Sequence, residues 1–296
     1  MTSDPRTFDT PSPIVAMVDV GAGHVTVRAA DRTDTVVEVN PTDDSEDTDV
    51  QAASQARVEY GNGRLSVTAP KRKTWLSFRG RMASVDVIID LPAGSRVEVD
   101  AWGSVRTDGR LGPSVIKTAA GSVHVDEAGR LDVASAAGDV SIGRADGHAD
   151  VRTSSGKIRI GRVDGSAVVK SSNGDLTVGE ITGDVRLTTA NGDIAIDQAG
   201  SAVRAKTAYG GIRIGEVVRG EVVMETAFGD LEIGIREGTA AWLDVNSKSG
   251  RVRSHLEEAD EPGPADETVT VRGRTAFGDV VIRRATPTAP VDGSPL

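Results

Sequence analysis

Through the middle of the chain, apolar residues fall on every second position in short runs, and the runs return at a fixed interval. Val151, Ile158 and Ile160 are followed one interval later by Val169, Leu176 and Val178, then by Leu187, Ile194 and Ile196. The positions between them are mostly polar or charged, as at Arg152, Arg159, Lys170 and Arg186. Alternation at period two marks strands with one buried face rather than helices. Each unit therefore predicts two short strands, joined through a Ser/Thr-x-x-Gly turn.

Aligning the units on that glycine gives Gly103, Gly121, Gly138, Gly156, Gly174, Gly192, Gly210, Gly229, Gly250 and Gly278. The spacings are 18, 17, 18, 18, 18, 18, 19, 21 and 28, and a sustained period of this size predicts stacked coils. A second turn follows the second strand as Gly-x-x-x-Gly, at Gly143 and Gly147, Gly161 and Gly165, and Gly179 and Gly183. Between those glycines sits a smaller apolar residue, Ala145, Val163 or Ile181, placed to tuck into the core at the corner. A meander of antiparallel hairpins could use the same Asn-Gly turns. It would leave the aligned apolar rows wet, whereas stacking buries them. The expected fold is all-β: a single-chain β-solenoid, parallel β-helix-like, with coils of about 18 residues and an irregular β-rich N-terminal cap.

The ends break the period. Residues 1–100 predict an irregular β-rich cap, with strands near Ile14–Val20, His24–Ala29, Thr35–Asn40, Leu65–Ala69, Val85–Leu91 and Arg96–Asp100 and a short helix within Asp43–Ala56. Solenoid repeats are expected over 101–284, interrupted by an acidic, proline-bearing insertion at about 257–266, with a disordered tail at 285–296. An open solenoid edge would invite pairing with other chains, so irregular ends read as guards.

Composition sharpens the picture. Aromatics make up only 3% of residues while glycine is abundant at 34, which suits thin stacked layers better than a round core. A net charge of −10 argues against a nucleic-acid partner. The absence of cysteine excludes disulfides and thiolate chemistry. No basic start followed by an apolar run opens the chain, and no apolar stretch is long enough for membrane insertion, so a cytoplasmic protein is expected.

The repeated Thr-x-x-Gly-Asp-Ile phrase, as at Thr189-Ala190-Asn191-Gly192-Asp193-Ile194, resembles the bacterial putative-adhesin domain-of-unknown-function family of β-strand-repeat proteins. Phe8-Asp9-Thr10-Pro11, Leu91-Pro92-Ala93-Gly94-Ser95 and Thr275-Ala276-Phe277-Gly278-Asp279 look like its cytoplasmic actinobacterial members. The resemblance spans nearly the whole chain. It implies a β-repeat fold without an assigned activity.

Candidate chemistry is sparse. His24, His124, His148 and His255 are scattered, with no two at a metal-ligand or triad spacing. Asp139, Asp175 and Asp193 share one edge and could pair as acid and base or hold calcium, but an aspartate after a turn glycine ordinarily serves local hydrogen bonding. Outward Arg152, Arg159, Lys170, Arg186, Arg204, Lys206 and Arg213 could form a basic stripe. Asp132, Asp150, Glu225 and Glu232 interrupt its rows. No metal or cofactor site is implied. The residue before the turn glycine is more distinctive: Ala137, Ser155, Asn173 and Asn191 give way to Tyr209, Phe228 and Phe277. In so aromatic-poor a chain, three rings on one edge form a possible partner contact or a seal for the last coils. The expected role is a non-enzymatic β-repeat scaffold or interaction module with a protein partner. An exported carbohydrate- or surface-binding adhesin is the alternative, and a β-helical polysaccharide lyase or hydrolase comes last.

Overall fold

Period-two alternation held in constant register has one outcome when coils stack: every inward row becomes a ladder of like side chains. The computed structural model describes residues 5–69, 82–256 and 267–285, so the expected acidic insertion and the tail beyond Ala285 lie outside the described residues. Among the described residues two sheets, of fourteen and thirteen strands, face each other across a narrow core and are not closed on themselves. In one, Val140, Ile158, Leu176, Ile194, Ile212 and Leu231 stand in register on successive parallel strands. In the other, Val133, Val151, Val169, Leu187, Ala205 and Met224 do the same. Both rows are buried. The pairing is parallel through the body of the molecule, as a solenoid requires and a meander forbids. Ala145, Val163 and Ile181 are buried at the corner as expected.

The turns are held by side chains as well as by the ladder. The Ser/Thr row points inward, and several of its threonine hydroxyls donate to the carbonyl of the turn glycine one coil back. The bond is 2.7 Å from Thr118 to Gly103, 3.1 Å from Thr207 to Gly192, 2.9 Å from Thr226 to Gly210 and 3.0 Å from Thr275 to Gly229. Gly174 shows why the turn needs glycine. Its φ is 136°, and an added Cβ would lie 2.0 Å from the carbonyl oxygen of Gly156. Both the backbone angle and the close approach of successive coils exclude a side chain there.

At the two ends, chain order and spatial order part company. The coil formed by Val15–Asp19 and Val25–Ala30 lies between the coil of Arg96–Ala101 and Val105–Leu111 and the later strands Arg64–Thr68 and Val85–Pro92. The C-terminal end mirrors this. The last strands, Glu267–Phe277 and Val280–Arg284, insert between Gly220–Glu225 with Leu231–Ile235 and the outermost pair, Thr239–Ser249 with Val252–Ser254. Gly278 therefore stacks on Gly229, with Gly250 beyond it, which corrects the linear sequence order 229, 250, 278.

The N-terminal end is finished by antiparallel strands. Arg6–Asp9 and Asp34–Pro41 close one sheet, and the hairpin Arg57–Gly61 with Arg64–Thr68 closes the other. Asn62 and Gly63, with φ of 52° and 71°, make its two-residue turn, as Asn-Gly pairs do. Phe8 and Tyr60, one from each closing strand, bring their rings to 5.3 Å, and Arg6 Nη1 donates to the Val58 carbonyl at 3.0 Å. The helix Asp47–Ser54 lays Ala52 and Ala53 on this end. The six expected N-terminal strands and the helix are present. Arg6–Asp9 and Arg57–Gly61 are additional strands.

Candidate functional site

One corner column of the solenoid changes chemistry along its length. Ser155, Asn173, Asn191, Tyr209, Phe228 and Phe277 follow one another by single backbone bridges at the turn between the two sheets. Asn191 Nδ2 donates to Asn173 Oδ1 at 2.8 Å, an amide ladder of the kind identical stacked residues form. From Tyr209 the column becomes aromatic. The ring centroids of Tyr209 and Phe228 are 5.0 Å apart with planes at 1°, and those of Phe228 and Phe277 are 5.0 Å apart at 4°. That spacing is close to the strand-to-strand distance of about 4.8 Å, so the coil pitch itself dictates the stacking.

The rings are held on a rigid backbone. The N–H groups of Tyr209, Phe228 and Phe277 donate to Ala190, Ala208 and Ala227, each at 3.0 Å. Their carbonyls accept from Gly192, Gly210 and Gly229 of the preceding coil at 2.8–2.9 Å. Yet the side chains remain exposed, at 57%, 44% and 52%. The two readings of the sequence thus meet: the rings do stack on one another, and they present a continuous ridge of ring edges to solvent. Their faces are turned mainly toward each other, which leaves little face for a sugar ring to stack upon. The three rings are adjacent only because Glu267–Phe277 inserts ahead of Thr239–Ser249. In linear order Ser249 would have separated Phe228 from Phe277.

The other candidates fall into structural roles. Each aspartate after a turn glycine reaches along the stack: Asp139 Oδ1 accepts the Lys157 N–H at 2.8 Å, Asp175 that of Asp193 at 3.2 Å, and Asp193 that of Gly211 at 2.8 Å. Asp230 and Asp279 do the same at 2.7 and 2.8 Å. The basic rows are interrupted as expected, with ion pairs Arg152–Asp150, Lys206–Glu225 and Arg213–Glu232. Exposed pairs like these add little stability. His148 Nδ1 lies 2.8 Å from Ser166 Oγ, while His24 and His255 are exposed. Among the described residues no three His, Cys, Asp or Glu side chains gather as a metal site, and no helix is long and apolar enough to cross a membrane. At the capped end, the hydrogen bond from Arg32 holds the Asp34 carboxyl below its usual range.

A feature that sequence reasoning passed over lies at the opposite end. On the outermost strand pair, Trp242, Leu243 and Val252 are exposed at 63%, 38% and 46%. Nothing in the local pattern of Thr239–Ser249 marks it as an edge, because the strand covering its inner side comes later in the chain.

The family described as Toastrack DUF4097 matches residues 17–285. A solved structure named as a putative adhesin from Parabacteroides distasonis is 14% identical, with 94% of this chain and 95% of that one covered and a TM-score of 0.38. Another putative adhesin, from Parabacteroides merdae, is 11% identical over 95% of each chain, with a TM-score of 0.32. A putative lipid binding protein from Parabacteroides distasonis is 11% identical over 96% of this chain and 94% of that one, at a TM-score of 0.27. No curated protein matches the chain.

Proposed function

The chain belongs to the Toastrack DUF4097 family, and on that premise we propose that it is a non-enzymatic β-repeat scaffold that binds a protein partner along the corner of Tyr209, Phe228 and Phe277. The observation that carries this reading is the exposed ridge of three parallel rings on a rigid corner. A contiguous apolar strip left in water is costly and is typical of contact surfaces, and aromatic side chains dominate the energetics of protein contacts. A protein groove can close on ring edges, whereas sugar recognition favours a free ring face. The geometry therefore favours a protein over the carbohydrate reading. The aspartates that a polysaccharide-cleaving site would require are engaged with backbone N–H groups of the next coil, which weighs against that reading. A cytoplasmic setting is part of the proposal and rests on the lack of cysteine. Cell fractionation tests it, and recovery outside the cell would overturn it.

The test of the contact is affinity capture from native cells with the wild type and with Tyr209→Ser, Phe228→Ser, Phe277→Ser, the variant first checked for unchanged circular dichroism. A protein retained by the wild type and lost by the folded variant is the expected result. Equal recovery by both would reduce the ridge to a seal for the C-terminal coils.

A further inference from the structure

The two ends of the solenoid are finished differently. At the N-terminal end, the closing strands Arg6–Asp9 and Arg57–Gly61 run antiparallel to their neighbours and carry charges at Arg6, Asp9, Arg57 and Glu59. Charges on a short edge strand deter further pairing. At the C-terminal end, Thr239–Ser249 is an eleven-residue strand, paired on one side with Glu267–Phe277 and, among the described residues, last in its sheet. Its inward row, in register with buried Val269 and Val271, holds Ala241, Leu243 and Val245, and Leu243 is 38% exposed for want of a further coil.

We propose that this end is a docking face for a second copy of the chain, formed by antiparallel pairing of Thr239–Ser249 with its twin about a two-fold axis. The strand is self-complementary in charge. Its two charged residues, Asp244 and Lys248, lie symmetrically about Asn246 on the outward row, and Asp244 also accepts from Arg274 of the neighbouring strand at 2.7 and 2.8 Å, so Lys248 of the twin would join an existing pair. Pairing centred on Asn246 sets Asp244 of each copy opposite Lys248 of the other, in the cross-strand positions where opposite charges attract. The same register places the two Asn246 amides side by side and brings Trp242 opposite Gly250 of the second copy. Leu243 and Val245 are covered by the twin strand. Val252–Ser254 is short, and Arg253 is turned toward Asp279 at 3.9 Å, so the pairing belongs to the longer strand.

Centred on Asn246, the two strands overlap over residues 243–249, about 23 Å, and two sheets about 10 Å apart measure roughly 20 Å across with their side chains. The resulting face, on the order of 460 Å² per copy, is that of a small, reversible interface, so association in the micromolar range is expected. Because the other end is closed, self-pairing at this one gives a closed dimer rather than a filament. The inference is independent of the aromatic ridge and stands or falls without it.

The experiment is sedimentation velocity of the full chain across the micromolar range, with Lys248→Glu and Asp244→Lys prepared separately and checked by circular dichroism. The wild type is expected to dimerise, and each variant alone, now facing like charge with like, to associate about tenfold more weakly or worse. An equimolar mixture of the two variants regains both opposite-charge pairs and is expected to form a heterodimer of near wild-type affinity. That rescue separates the proposal from simple damage to the strand. A wild type that stays monomeric overturns it. So does a dimer that neither variant weakens, or a mixture no tighter than its parts.

Discussion

A threonine hydroxyl 3.1 Å from a glycine carbonyl one coil back, as at Thr207 and Gly192, does for this fold what a capping residue does for a helix. It gives a partner to a backbone group at the corner, where the sheet ladder is interrupted. Thr207 is buried, so Thr207→Val keeps the volume and loses the hydroxyl shared between the Gly192 carbonyl and, at 3.4 Å, that of Tyr209. The expected cost is about 1 kcal/mol, read from chemical denaturation with an unchanged m-value. Gly174→Ala is a harsher change. It forces a Cβ to 2.0 Å from the Gly156 oxygen at a φ of 136°, and at least about 2 kcal/mol is expected to be lost. Asp193 is milder: Asp193→Asn preserves the acceptor for the Gly211 N–H and should leave stability nearly unchanged. Asp193→Ala removes that acceptor and should cost about 1 kcal/mol.

At the scale of strands, position in the stack should decide local stability. Among the described residues, Glu267–Phe277 is flanked on both sides, whereas Thr239–Ser249 is flanked on one. Hydrogen exchange in dilute solution is therefore expected to be faster in Thr239–Ser249 than in Glu267–Phe277, although both have eleven residues. Equal protection would mean that another segment covers the edge. The central strands were legible from sequence because Val151, Val169 and Leu187 repeat the same inward chemistry at a constant interval, and the ladder only has to keep that order. The ends were not. Phe228 stacks on Phe277 across forty-nine residues, and no local alternation announces that a later strand will enter ahead of Thr239–Ser249. Arg6–Asp9 is short and alternates weakly, while Arg57–Gly61 alternates, with Val58 buried, but lies outside the repeat and is held by an antiparallel partner. The aromatic column could be read as one edge, but its uninterrupted stacking depended on that transposed order.

For the molecule as a whole, the coils divide into interchangeable and irreplaceable ones. Deleting residues 157–174 joins Gly156 to Asp175 and brings Val140 and Leu176 onto neighbouring strands in the register now held by Val140 and Ile158. The shortened protein is expected to unfold in a single cooperative transition at a slightly lower temperature, as monitored by circular dichroism. Removing residues 267–285 takes out an interior coil and strands Thr239–Ser249 without a neighbour. That variant is expected to lose cooperativity in its last coils.

The transposed order at both ends carries one further consequence. Neither end can be lengthened by adding a coil, because each outermost coil is tied back by a segment that sits beneath it. New coils can enter only in the middle, where each one moves the ends about 4.8 Å further apart. The molecule is thus a ruler with fixed end pieces. Duplication or loss of central units sets its reach, and the distance from the capped end to the aromatic corner changes in whole steps while both fittings stay the same.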